Sequence, residues 1–190
     1  MTGAGQQSDA AVIARVLGGD RDAFAALVRR HQDALYRYGR GLGLDHDTSL
    51  DLVQETFVKA YGRLRQCRAV DRFPSWLFRI YRNAMLDWAR DLRRTEISLL
   101  DIADPPDAYD AADRHALREA IGDALAALPP ILREAFLLRH HFGHSYEELA
   151  EIASISLSAA KMRVARARDA LREALEPDFG DVTNAASGPS

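Results

Sequence analysis

Apolar residues recur at three- and four-residue steps along most of this chain, the spacing that puts side chains on one face of a helix. Ser8 or Asp9 can start a short helix through Leu17, which Gly18-Gly19 ends. Asp20 can start a longer one through about Arg40, with Phe24, Leu27, Val28, Leu35 and Tyr38 at helical spacing. Asp45 or Asp47 begins a third, running to about Arg65. Its central stretch Asp51–Tyr61, DLVQETFVKAY, belongs to a stripe of Leu50, Val53, Phe57, Tyr61 and Leu64, with Gln54 and Glu55 lying off it. Such a helix can be an ordinary core element with solvated polar residues, or a surface offered to a partner. Taken alone, the stretch favours the first reading.

The loop RQCRAVDRF, Arg65–Phe73, has no strong periodicity. Pro74 fits the first turn of the next helix, where a missing N–H costs nothing. That helix runs to Arg94, with Trp76, Leu77, Ile80, Ala84 and Trp88 expected toward the core. Residues 95–112 hold Pro105-Pro106 and several aspartates without a helical stripe, which reads as a flexible linker. Helical spacing resumes near Asp113 and stops at Pro129-Pro130. A helix ILREAFLLRHHF follows, ending at Gly143. Ser145 and Glu148 form a capping-box pattern before YEELAEIA. After a turn Ser154–Leu157, Ser158 is expected to cap AAKMRVARARDALREAL, which Pro177 should stop. The fold class expected is all-α: two small helical domains, 8–94 and 113–176, joined by an acidic linker 95–112. Residues 1–7 and the tail 177–190 are expected to be disordered.

Charge adds what hydrophobicity hides. The net charge is only −3 over 190 residues. Yet Tyr61–Arg94 carries nine arginines against three aspartates, and Ser158–Arg172 carries five basic residues against Asp169. Between them, Thr95–Asp123 carries eight acids against two arginines. Two basic regions flanking an acidic one suit a protein that meets a polyanion at two places. In the first, Arg79, Arg82, Asn83, Arg90, Arg93 and Arg94 fall near one another on the helix side opposite the core, with Leu86 interrupting. The last two helices have helix-turn-helix spacing, and Lys161, Arg163, Arg166 and Arg168 project from the second. That geometry puts Lys161 and Met162 near base edges and Arg166 near a base or phosphate, with Arg163 and Arg168 toward phosphates or the protein itself.

Other chemistry is poorly supported. The single cysteine, Cys67, allows no internal disulfide, and His140, His141 and His144 lack ligands at metal spacing. No metal or cofactor is expected. No phosphate-binding GxxxxGK loop, nucleophile elbow or CxxC pair points to an enzyme. No apolar run reaches the roughly 18 to 20 residues of a membrane span, and MTGAGQQSDAAV lacks the features of a secretion signal, so the cytoplasm is the expected location.

With both basic regions read, the sequence resembles an extracytoplasmic-function (ECF, group 4) sigma factor of the bacterial sigma-70 family. DLVQETFVKAY resembles the family's core-polymerase-binding helix. FPSWLFRIYRNAMLDWARDLRR resembles the segment that melts and reads the −10 element. LPPILREAFLLRHHFGHSYEELAEIASISLSAAKMRVARARDALREAL resembles the region that reads the −35 element. The resemblance covers about residues 10–94 and 113–176.

It implies roles. Asp51, Leu52, Gln54 and Glu55 would contact the coiled coil of the polymerase β′ subunit. Arg65, Arg68 and Arg72 on the loop, with Asn83, would capture an unpaired −10 base; Arg79, Arg82, Arg90, Arg93 and Arg94 would line the same DNA. Ser158, Lys161, Met162, Arg163, Arg166 and Arg168 would meet the −35 element. Leu137 and Leu138 would dock on the β flap, and an anti-sigma protein would cover these surfaces. Ala159-Ala160 and Ala165 depart from the residue types usual there, which bears on −35 preference. A competing reading is a sigma mimic that sequesters an anti-sigma protein without binding DNA; such mimics look degenerate in the basic residues this chain keeps.

Overall fold

The computed structural model describes residues 7–67, 69–94 and 112–183, with backbone alone at 93–94, 112–119 and 177–183. Among the described residues there are eight α-helices and no strand, in agreement with the all-α expectation. They divide into two compact units, one built mainly from the helices before Arg94 and one mainly from those after Ala112. Residues 95–111 of the expected linker 95–112, with its apolar residues Leu99, Leu100 and Ile102, residues 1–6 and the end of the tail lie outside the described residues.

The first unit holds α1 (Asp9–Leu17), α2 (Phe24–Gly41), α3 (His46–Gly62) and α4 (Phe73–Arg94). The Ser8 hydroxyl caps α1 by accepting from the Ala11 N–H at 3.3 Å. Asp20 caps a short 3-10 turn, Arg21–Ala23, that leads into α2. Asp45 caps α3, accepting from the N–H of Thr48 at 2.8 Å and from its hydroxyl at 2.7 Å. Two more 3-10 turns, Leu64–Gln66 and Val70–Arg72, carry the chain from α3 to α4.

The buried face of α3 differs from the expected stripe. It consists of Ser49, Leu52, Val53, Thr56, Phe57 and Ala60, while Leu50 and Tyr61 are 40% and 42% exposed. The stripe is rotated by about one residue because two small hydroxyl residues take part in it. The Thr56 hydroxyl satisfies itself on the Leu52 carbonyl at 2.6 Å, which removes the cost of burying it.

On α4, Phe73, Leu77, Phe78, Ile80, Tyr81 and Ala84 are buried. Trp76 and Trp88, expected toward the core, are only half-buried. Helical geometry accounts for this, since the buried arc centres on Leu77, Tyr81 and Ala84 and both tryptophans sit at its edge. Tyr38 packs on Phe78 and Tyr81 at ring separations of 5.1 and 5.6 Å. Gly39 is required here. A Cβ at that position would stand 2.1 Å from the Tyr81 hydroxyl and 3.1 Å from the Ser49 hydroxyl. Burial pushes the Tyr81 phenol far above its ordinary range, only partly offset by the nearby Ser49.

The second unit holds α5 (Ala112–Ala127), α6 (Pro130–Phe136), α7 (Tyr146–Ala153) and α8 (Leu157–Thr183). Ala124, Leu128, Ala167 and Leu171 form its core cluster, flanked by Leu125, Leu132, Phe136, Ala170 and Leu175. Pro130 starts α6 where a proline is harmless. The Arg133 guanidinium reaches back to the carbonyls of Ala126 and of Leu128, the latter at 3.2 Å, and so satisfies the end of α5. Past α6 the helix widens into a π turn, Leu137–His141. Gly143 has φ +74°, a left-handed conformation that ends the segment. The expected capping box is present: Ser145 N–H donates to Glu148 Oε2 at 2.8 Å, and Glu148 N–H to Ser145 Oγ at 3.1 Å.

Two expectations about α8 are corrected. Its cap is Ser156, whose hydroxyl accepts from the Ala159 N–H at 3.2 Å. Ser158 lies inside the first turn, so the loop after α7 is shorter than the sequence suggested. The helix also continues through Pro177 to Thr183. Proline's fixed φ is compatible with a helix, and its cost is chiefly one missing hydrogen bond and crowding of the preceding turn.

Candidate functional site

Three exposed surfaces carry the sequence-derived candidates. On α3, packing of Ser49, Leu52, Val53, Thr56, Phe57 and Ala60 turns Asp51, Gln54 and Glu55 to solvent. Leu52 is 2% exposed, so its expected place among surface contacts is corrected: it holds the helix to the core beneath them. Glu55 pairs with Lys59 at 2.6 Å on the same face. Val58, one turn beyond Gln54 and Glu55, is 74% exposed. Sequence reasoning missed it, although an apolar residue three to four positions from a polar pair, off the apolar stripe, was the available signal.

The second surface is the loop after α3 and the outer side of α4. Arg65, Arg72, Arg79, Asn83 and Arg90 are exposed, while Arg82 is half-buried. Arg79, Asn83, Leu86 and Arg90 follow one helical line, and Leu86 is 38% exposed within it. Arg90 pairs with Asp87 at 3.0 Å, which lowers the net positive charge at that end. Arg68 and the side chains of Arg93 and Arg94 lie outside the described residues. On the first unit, Gln66, Cys67 and Ala69 of the loop lie beside Ser75, Trp76 and Arg79 of α4. Phe73, fully buried, holds Trp76 there with rings 5.8 Å apart. Cys67 is buried, its thiol facing the Ala69 carbonyl at 3.8 Å. Burial raises its pKa and Arg79 lowers it less, a balance that favours the protonated thiol.

The third surface is on the second unit. Ala160, Val164, Ala167 and Leu171 pack inward from α8. Ser158, Lys161, Met162, Arg166 and Arg168 are exposed and Arg163 is half-buried. Around the helix, Lys161, Arg168 and Arg172 take one flank and Arg166 the other, with Met162, 51% exposed, between them. At the start of α7, the Tyr146 ring lies 4.7 Å from the Arg139 guanidinium and 5.9 Å from the Lys161 ammonium. Arg139 also donates to the His144 carbonyl at 3.0 Å. This arrangement was not anticipated, because nothing in sequence spacing joins Arg139 to Lys161. Leu137 and Leu138, expected to face a partner, are 8% and 0% exposed. Among the described residues no group of three potential metal ligands occurs. Nor, among them, is any helix long and apolar enough to cross a membrane.

These features define a helical DNA-binding protein with a helix-turn-helix in its second unit. Residues 27–95 match the family model for Sigma-70 region 2, and residues 118–171 that for Sigma-70, region 4. The chain is 30% identical over 188 residues to the RNA polymerase sigma-H factor of Pseudomonas aeruginosa, covering 90% of this chain and 96% of that one. It is 29% identical over 189 residues to the ECF RNA polymerase sigma-E factor of Haemophilus influenzae, covering 90% and 97%. Among solved structures, CnrH in complex with the cytosolic domain of CnrY is similar at 32% identity and TM-score 0.66, over 90% of this chain and 99% of that one. The sigma factor RpoE in complex with the anti-sigma factor NepR from Bartonella quintana is similar at 30% identity and TM-score 0.69, over 82% and 98%. The chain belongs to the sigma-70 family of RNA polymerase sigma factors, in its ECF branch. It is an alternative sigma factor that works with core RNA polymerase and promoter DNA to direct transcription initiation.

Proposed function

We propose that this chain is a non-catalytic, cytoplasmic group 4 factor whose three exposed surfaces divide the work of initiation. The outer face of α3, with Asp51, Gln54, Glu55 and Val58, holds the β′ coiled coil of core polymerase. The loop after α3 and the exposed line of α4 hold the unpaired −10 strand. There Arg65, Arg72, Arg79 and Arg90 offer cations, and Trp76 and Asn83 of α4 receive the unpaired base. Base extraction costs a few kcal/mol, and a shaped hollow with nearby cations is what offsets it. The start of α8 enters the major groove at the −35 element, Lys161 and Met162 at base edges and Arg163, Arg166 and Arg168 toward the backbone. An anti-sigma protein regulates the factor; both solved relatives above were captured with a binding protein.

The observation that carries this reading is that α4 and α8 are each packed on one side and basic on the other. A mimic has no use for an exposed arginine line on α4 together with exposed Lys161, Arg166 and Arg168. Run-off transcription with purified core polymerase on a library of genomic promoters tests it. Discrete transcripts that require this chain are expected. If it captures an anti-sigma protein yet supports no initiation from any fragment, the mimic reading replaces this one.

A further inference from the structure

The −10 loop is short and contains no regular helix beyond two 3-10 turns, so something else must hold it in shape. Helix α1 packs against both turns, Leu64–Gln66 and Val70–Arg72. Its residues Val12 and Ile13 are 2% and 1% exposed, deep for so short a helix. A nine-residue helix is not stable by itself and must be tied down. The tie is Asp9. Its carboxylate accepts from His31 Nε2 at 2.8 Å and pairs with Arg30, both on α2. Arg30 also donates to the Gln7 carbonyl at 2.7 Å. The His31 ring in turn meets the Phe73 ring with centroids 5.5 Å apart. Phe73 is the residue that ends the loop and begins α4, and it holds Trp76.

We propose that Asp9 and His31 are positioning residues for −10 recognition, acting through α1 from one side of the loop and through Phe73 from the other. The proposal rests on the assignment of this loop to the −10 strand. Neither residue stands beside Trp76 and Arg79 themselves. They fix the two ends between which Cys67, Ala69 and Arg72 are strung. A displacement of about 1 Å in groups that hold a reacting or bound partner is enough to lose most of their effect.

The test uses holoenzyme reconstituted from core polymerase and the full chain. The probe is a single-stranded 20-nucleotide DNA library with a randomised central hexamer, sequenced after capture. Wild-type holoenzyme is expected to enrich a distinct hexamer; if it enriches none, the −10 assignment itself fails. Given that enrichment, Asp9→Ala and His31→Ala are expected to lower preference for the top hexamer by about tenfold while core affinity changes by less than about twofold. Asp9→Asn keeps an acceptor for His31 and should recover most of the preference. Thermal melting confirms that each variant is folded. Unchanged preference in the alanine variants overturns the proposal, as does a loss of core affinity parallel to the loss of preference. Failure of Asp9→Asn to do better than Asp9→Ala overturns the role given to the His31 contact.

Discussion

At the scale of single residues, the proposed role of α3 separates binding from stability. Gln54, Glu55 and Val58 are exposed, whereas Leu52, two positions before Gln54, is buried. Gln54→Ala, Glu55→Ala and Val58→Asp should each weaken binding to core polymerase, by about tenfold in combination, a loss of about 1.4 kcal/mol. Melting temperature should hardly move, since the Glu55–Lys59 pair is a surface pair worth about 1 kcal/mol at most. Leu52→Ala should do the reverse, costing about 2–5 kcal/mol of stability because it opens a cavity under the helix. Fluorescence-detected core titrations beside thermal melts separate the two. The exposure of Gln54 and Glu55 was legible in the sequence because polarity off an apolar stripe is a direct signal. Leu52 was not, because family likeness names a helix more readily than it says which side of that helix is inside. Ser49 and Thr56 shifted the stripe, and hydroxyl residues look like surface residues until their burial is seen, as with Thr56 bonded to the Leu52 carbonyl.

At the scale of elements, helices were the most readable feature and their ends the least. The capping box at Ser145 and Glu148 was visible because both partners are local. The cap of α8 was not: Ser154, Ser156 and Ser158 offer the same hydroxyl, and the turn geometry chooses Ser156. That choice rotates nothing on the recognition helix, whose phase is set by Ala160, Val164, Ala167 and Leu171. Lys161 and Arg166 therefore occupy opposite flanks of one exposed face, and each should meet DNA. Lys161→Ala with Arg166→Ala should weaken protection of the −35 element in footprints of holoenzyme on its promoter. The dependence of log affinity on log salt should become shallower by about one for each phosphate that is no longer neutralised. An unchanged footprint would mean that another part of the second unit faces the groove. The π turn at Leu137–His141 escaped the sequence altogether, since an extra residue in a helical turn leaves the average spacing almost intact.

At the scale of the whole molecule, the all-α class and the division into two units followed from where helical spacing lapsed. Two weak attachments on one chain can act as a strong one, because engaging the first raises the effective concentration of the second. Each unit has its own core, the first around Leu27, Leu35, Tyr38, Leu77 and Tyr81 and the second around Ala124, Leu128, Ala167 and Leu171. Independent cores need not melt together. The chain's two tryptophans, Trp76 and Trp88, both stand on α4 at the margin of the first core. Tryptophan emission, excited selectively over tyrosine, is therefore a private optical channel for the first unit, while far-ultraviolet dichroism averages over both. Denaturant titrations followed by the two signals should give midpoints that do not coincide, with coincidence indicating one cooperative block. Because Trp76 also stands beside Cys67 and Arg79, a base stacking there should quench that light, giving a label-free clock for promoter opening.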